Sequence, residues 1–173
     1  EAAHISQSGI VSHSATGRTV IGGISHKTSP NWLPIWLNAI PHSSWTQDIK
    51  AALWEKLAIN CVINPLTASY KCRNGELIEN PMLKELVKEL CLEIEMVRDA
   101  ANIPHTKEPI FDIVSQVIFD TTTNFSSMFQ DVEAGRSTEI ESITGYLVRV
   151  ASQFKIEVPL NKKLLEKFRE HCR

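Results

Sequence analysis

No stretch of this sequence approaches the roughly 20 consecutive apolar residues that a membrane-spanning helix needs, so no span is expected. An excess of basic charge is missing too: 18 Lys and Arg stand against 20 Asp and Glu, a formal net charge of −2. That balance offers no basic footprint for nucleic acid and no polybasic segment for a membrane surface. Cysteine is scarce and unpatterned. Cys61, Cys72, Cys91 and Cys172 form no CxxC pair, and the histidines supply no second half of a zinc signature, so no metal site is expected. Cys61 and Cys91 fall inside apolar helical patterns, where a thiol usually acts as a small core hydrophobe. Free, reduced thiols and a cytoplasmic setting follow from compartment logic. No Gly-x-Gly-x-x-Gly follows a strand pattern, and Gly22-Gly23 cannot replace that phosphate-binding turn. The first residue is Glu1 and no charged-then-apolar leader follows it, so a signal peptide is not expected and the chain reads as a piece of something longer.

What is present fits one well-buried domain with a small appendage: 173 residues, 43% of them apolar and 22% charged. Residues 4–25 differ from the rest. They hold Gly9, Gly17, Gly22 and Gly23, many Ser and Thr, and the β-branched groups Ile10-Val11 and Thr19-Val20-Ile21. With Ser14-Ala15-Thr16-Gly17 read as the turn, this predicts a two-stranded hairpin, and no strand after residue 26. Its unpaired edges call for another sheet or a second copy of the chain, so a homodimer is one expected assembly. Pro30 and Pro34 bracket a short helix with Trp32, Ile35, Trp36 and Leu37 on its apolar side, and Ser44 or Thr46 can cap the next helix.

From about residue 47 the period is helical. Ile49, Leu53, Leu57 and Cys61 recur every four residues. Pro81 opens a helix whose stripe runs through Met82, Leu83, Leu86, Leu90, Ile94 and Val97, and Pro104 ends it. Further helices are predicted around Ile110–Ile118, around Met128-Phe129 with Gly135 at C′, and from Pro159 through Phe168. Thr138 and Glu141 have capping-box spacing at the head of a helix through Ile143, Leu147 and Val150. The fold class is therefore mainly α, a helical bundle preceded by a β-rich strip, with domains at 1–45 and 46–173.

The most informative segment runs from Trp54 to Pro65. Lys56, Asn60 and Asn64 lie at i, i+4 and i+8, and each step of four advances only about 40° around a helix, giving one narrow polar stripe. Asn64 precedes Pro65, which disfavours helical dihedrals, so the helix is expected to kink or end there and release backbone carbonyls. A solvated Lys56 with asparagines that satisfy helix contacts is one reading. The other is a site, because asparagine is a poor helix former and a lysine among neutral amides can orient and protonate a carbonyl oxygen. A second cluster is Ser126-Ser127-Met128-Phe129-Gln130-Asp131 with Arg136-Ser137-Thr138-Glu139-Ile140-Glu141. There Asp131 and Arg136 read as a local ion pair and Glu141 as the cap partner, which leaves Glu139 unassigned by local structure.

The words Glu-Lys-Leu-Ala-Ile-Asn-Cys-Val-Ile-Asn-Pro-Leu-Thr-Ala, then Asn74-Gly75-Glu76-Leu77, then the two runs just quoted, stand in the order and spacing of ketopantoate reductases. From about residue 5 onward the chain resembles the C-terminal half of that family. The resemblance implies a helical bundle like the C-terminal domain of 6-phosphogluconate dehydrogenase-type reductases, preceded by a short β-hairpin left from a Rossmann domain. It implies that Lys56 donates a proton to a ketone oxygen while NADPH delivers hydride to the carbon. It further implies that Asn60, Asn64, Asn74 and Ser127 bind the keto-acid substrate, Ser127 near its carboxylate, and that Glu139 lies near the nicotinamide ribose. Thr144 departs from the pattern, which commonly has Asn there. The missing glycine motif is the larger departure, and the chain by itself is not expected to hold NADPH tightly or turn over.

Three functions stay open at this level. One is the C-terminal portion of an NADPH-dependent 2-dehydropantoate 2-reductase of pantothenate biosynthesis. Another is a non-catalytic helical interaction or dimerisation domain of the same fold. A reductase of another branched 2-keto acid is the third.

Overall fold

Strand pairing in the first part of the chain departs from the hairpin that its turn residues suggest. The computed structural model describes residues 2–5, 9–15, 17–24, 28–104 and 108–171, which fall into two units, Glu1–Ala52 and Leu53–Arg173. In the first, β1 (Ala2–Ile5) pairs antiparallel with β2 (Val11–Ala15), from Ile5 opposite Val11 to Ala2 opposite Ala15. Ser14 and Ala15 thus lie inside a strand rather than in a turn, while Thr16 falls outside the described residues.

The segment Thr19–Gly22 forms β3, and its partner is β4 (Ser43–Thr46), in parallel, with Thr19 opposite Ser43 and Gly22 opposite Thr46. A parallel pair cannot be closed by a tight turn and needs a crossover, which here contains α1 (Leu33–Ala39). The expectation of strands only before residue 26 therefore fails at β4, whose four residues make sense only beside β3. In α1 just Leu33 is buried; Trp32, Ile35, Trp36 and Leu37 are exposed, and so do not form the buried side expected of them.

Eight helices are found among the described residues, and seven of them, α2 onward, build the body of the chain. The first of these, α2 (Ile49–Tyr70), opens at Asp48, whose carboxylate accepts the Lys50 N–H at 2.9 Å; neither Ser44 nor Thr46 takes that role. Next come α3 (Glu76–Glu79), α4 (Pro81–Ala100), α5 (Ile110–Asp120), α6 (Ser127–Glu133), α7 (Thr144–Gln153) and α8 (Pro159–His171). The helical expectation for residues 47–172 holds over its described part. Asn80 caps α4 by accepting from Met82 N–H at 2.9 Å, with Pro81 at the first helical position, where its missing N–H costs nothing.

The core of this second unit is apolar and continuous. Val62 and Leu66 of α2, Leu90 and Ile94 of α4, Ile118 of α5, Met128 of α6 and Leu147 of α7 are at most 2% exposed. Each such side chain stabilises the fold by about 1.5–3 kcal/mol relative to exposure. Helix rotation differs in detail from the sequence stripes. Leu53 and Met82 point outward, at 56% and 55% exposure, and Trp54 and Ala58 take the buried side of α2 instead.

One buried acid organises the end of the bundle. The Glu93 carboxylate on α4 accepts from the N–H groups of Leu160 and Asn161 (2.8 and 3.0 Å) and from Asn161 Nδ2 (2.7 Å), satisfying the first-turn donors of α8 from a distant helix.

Candidate functional site

The polar stripe on α2 is real, and it runs from solvent into the protein. Lys56 is exposed, Asn60 half-buried and Asn64 buried, while Cys61 beside them is fully buried. Among the described residues the Lys56 ammonium makes no hydrogen bond or ion pair. Of the two expected outcomes at Pro65, a kink or an end, the helix does not end: it continues to Tyr70 with the proline inside it. Pro65 has no N–H to give the carbonyl four residues back, and the surroundings hold the turn together. The Thr67 hydroxyl lies 2.7 Å from the Ile63 carbonyl oxygen and 2.7 Å from Ser126 Oγ.

That contact brings the stripe to α6. Ser126, buried, caps α6 by accepting the Phe129 N–H at 3.1 Å, and Ser127 follows as its exposed first residue. The sequence reading singled out Ser127 but not the two hydroxyls that join Asn64's turn to it. Ser126 could have been found as an N-cap by its spacing to Phe129; nothing local marks Thr67.

Asn74 arrives by a different route. The turn after α2 is clamped on the loop between α5 and α6: Asn74 N–H donates to Asn124 O and Gly75 N–H to Thr122 O, both at 3.0 Å. A side chain at Gly75 would put its Cβ 2.5 Å from Thr122 Cγ2, so the close approach of these segments needs glycine. Asn74 Nδ2 donates to Thr121 Oγ1 at 2.8 Å, which fixes the carboxamide; its Oδ1 is buried and has no hydrogen-bond partner among the described residues. Arg73 donates to Thr123 O and stacks over Phe125, 4.3 Å from the ring centroid, and Phe125 in turn stacks on Phe129 at 4.7 Å. Asn64, Asn74 and Ser127 are thereby tied to one end of the bundle. Lys56 stands eight residues before Asn64, about 12 Å along the helix axis.

Glu139 is not tied to them. It lies exposed in the loop before α7, and among the described residues only its backbone carbonyl is used, accepting from Ser142 and Ile143 N–H at 3.0 Å. The loop enters through Gly135, whose φ of +64° suits C′ of α6, with Gly135 N–H on Val132 O (3.1 Å) and Arg136 N–H on Asp131 O (2.8 Å). The Arg136 side chain also closes on Asp131 at 2.8–2.9 Å, the local ion pair expected from their spacing.

The capping box does not form. Helix α7 starts at Thr144, and Ile143 at its N-cap position makes no side-chain bond. Glu141 instead meets Arg169 of α8 at 2.5 and 3.0 Å, and the guanidinium holds its carboxyl below the usual range. Thr144 is fully buried, its hydroxyl lacking a full partner and set beside the Cys61 thiol, a weak hydrogen-bonding group. Burial pushes that thiol well above the ordinary range, and the Thr144 contact offsets only part of the rise. No His, Cys, Asp and Glu cluster able to hold a metal occurs among the described residues.

A family model described as "Ketopantoate reductase PanE/ApbA C terminal" matches residues 48–171. A 2-dehydropantoate 2-reductase of Yersinia pestis is 42% identical over 156 residues, covering 89% of this chain and 50% of that protein. Among solved structures, a PanE/ApbA family ketopantoate reductase from Ralstonia eutropha JMP134 superposes with a TM-score of 0.83 at 26% identity, over 98% of this chain and 56% of the other. A D-mandelate dehydrogenase solved with NADH shares the fold, with a TM-score of 0.81 at 18% identity over 98% of this chain and 64% of the other. The chain spans about half the length of the curated relatives it matches.

Proposed function

Since the chain belongs to the ketopantoate reductase family and corresponds to its C-terminal part, we propose that it is the substrate-side half of an NADPH-dependent 2-dehydropantoate 2-reductase, acting in pantothenate biosynthesis in the cytoplasm. Residues 46–173 are the substrate-binding and catalytic domain. Residues 1–45 are the end of a nucleotide-binding domain, and the parallel β3–α1–β4 crossover supports that reading, because such units belong to larger α/β sheets. A homodimer is the proposed assembly.

The observation that carries the proposal is the α2 stripe. It offers an unpaired ammonium at its exposed end and carboxamides that become more buried toward Ser127. Lys56 gives its proton to the ketone oxygen as that oxygen becomes an alkoxide, and its charge is strongest in effect at that moment. Asn60 and Asn64 orient the keto acid, and the Ser127 hydroxyl donates to its carboxylate. The buried, partnerless Oδ1 of Asn74 is an acceptor that a substrate hydroxyl satisfies, and Thr121 keeps it turned that way. Glu139 fits a nicotinamide nucleotide, since its carboxylate is exposed and takes no hydrogen bond among the described residues, leaving it open to a ribose hydroxyl. When bound, the cofactor supplies the hydride; the Gly-x-Gly-x-x-Gly turn that would hold its phosphates does not occur in this sequence.

The test is NADPH oxidation with 2-dehydropantoate, followed in the enzyme that carries this chain as its C-terminal half. Turnover that disappears in Lys56→Ala supports the reading. Binding of the keto acid without any reduction, in a protein that binds NADPH, favours the interaction-domain alternative.

A further inference from the structure

A cavity of about 770 Å³ lies in the second unit, away from the stripe on α2. None of Lys56, Asn60, Asn64, Asn74, Ser127 or Glu139 lines it. Its wall carries Lys71, Arg136, Lys167 and Arg169 against a single carboxylate, Glu141. Ala68, Val132, Ile140 and Phe168 give it an apolar floor, with Ile140 and Phe168 only 5% and 6% exposed.

The third contribution is backbone. Between the C′ glycine of α6 and the turn before α7, the N–H groups of Ser137 through Glu141 make no hydrogen bond among the described residues. Backbone N–H groups left without an acceptor are donors that an anion beside them can use. The cations already have neighbours: Arg136 pairs with Asp131, Arg169 with Glu141 and Lys71 with Glu133 at 3.2 Å, while Lys167 donates to Ser69 O at 3.4 Å and lies over the Tyr70 ring. The Lys71 and Arg136 pairs are largely exposed, and such pairs are weak enough to exchange partners, whereas Arg169 is held at two points by Glu141 and adds its charge to the wall. The donors far outnumber the two oxygens of a carboxylate and suit phosphoryl groups, which offer three or more acceptors each. The volume falls in the range of about 300–1,000 Å³ typical of small-molecule sites.

We propose that this cavity is a second ligand site, which takes a phosphorylated metabolite of nucleotide size with its phosphates on the amides of Ser137, Thr138, Ile140 and Glu141 and the surrounding Arg and Lys groups. Gly135 to Thr138 and Ile140-Glu141 line the cavity while Glu139 between them does not, so the ligand sits behind the loop that carries Glu139. A ligand there braces that loop, which makes the cavity a place for regulation. The binding claim stands apart from the reading of Lys56, because it needs no turnover.

Titration calorimetry of the 173-residue chain with inorganic pyrophosphate and with ATP tests it. Both bind saturably, one per chain, with a dissociation constant at or below about 1 mM that rises with added salt. Replacing Arg136 and Lys167 by Gln together weakens each by about tenfold or more, the scale of a lost charge-assisted hydrogen bond, whereas Lys88→Ala on α4 changes nothing. As a second measurement that requires no variant, the amide resonances of Ser137 to Glu141 shift on titration with pyrophosphate. Absence of saturation up to roughly 10 mM overturns the proposal. So does binding that leaves those amides unmoved, and equal affinity for citrate overturns its phosphoryl preference.

Discussion

Thr67 and Ser126, 59 residues apart in the chain, share a buried hydroxyl–hydroxyl hydrogen bond of 2.7 Å. It fastens the turn of α2 that contains Pro65 to the cap of α6, and so places Asn64 and Ser127 at one end of the bundle. Thr67→Val keeps the shape and removes the hydroxyl, leaving Ser126 with one partner fewer. Urea unfolding of the chain should show a loss of about 1–3 kcal/mol. In the whole enzyme the KM for the keto acid should rise more than kcat falls, since the substitution loosens binding groups rather than the proton donor. An unchanged KM would mean that Ser127 does not depend on this anchor.

Lys56→Ala should lower kcat by about 10²–10⁴-fold, with a smaller change in KM, because a proton donor acts mainly in the transition state. Asn64→Ala should do the reverse, raising KM more than it lowers kcat. Lys88→Ala is the control: its pair with Glu85 is an exposed i,i+3 contact at 2.9 Å, worth at most about 1 kcal/mol. Steady-state kinetics across the three variants separates these roles, and a Lys56→Ala enzyme with unaltered kcat removes Lys56 from the mechanism.

Glu93→Ala should be among the most damaging single changes outside the site. It deletes the acceptor for Leu160 N–H, Asn161 N–H and Asn161 Nδ2, and leaves buried donors at the start of α8. A loss of about 3 kcal/mol or more is expected, since each buried donor left unsatisfied costs about 1–3 kcal/mol. Glu93→Gln keeps one acceptor oxygen and should recover part of it. Denaturant midpoints with unchanged slopes give the comparison.

Alkaline pH should erode stability through Cys91. Burial first, and the charge of Glu95 second, push its thiol up to about 12 from an ordinary 9.0. The folded state thus keeps the proton that the unfolded chain releases. This contribution is complete below pH 9.0 and declines as pH rises from there toward about 12, by about 1.4 kcal/mol per pH unit for this group. The gap in unfolding free energy between the wild type and Cys91→Ala should therefore narrow between pH 8 and pH 10. A gap that stays constant across that interval would indicate a thiol of ordinary acidity.

Features set by neighbours within about four residues were legible in the sequence. The apolar period carries α4 and α5, Pro81 and Pro159 open their helices, Gly135 supplies the left-handed C′ position, and Asp131 meets Arg136. The spacing of Lys56, Asn60 and Asn64 gave a stripe that does form, because helix geometry alone puts those residues in line. The family was readable as well, since long specific words survive in order. Tertiary structure decided everything that rests on partners far away in the chain. Strand β3 chooses β4 across a crossover rather than the nearby β2, and backbone pairing gives the individual strand no way to encode that choice. Pro65 stays inside a helix because packing and the Thr67 contacts outweigh a local preference to stop. Glu141 has the spacing of a cap partner, yet it turns to Arg169, 28 residues away, because α7 begins too late for a cap and α8 brings a guanidinium within reach. Local rules fix dihedrals and faces, whereas the partner of a polar side chain is whichever group the completed packing sets beside it.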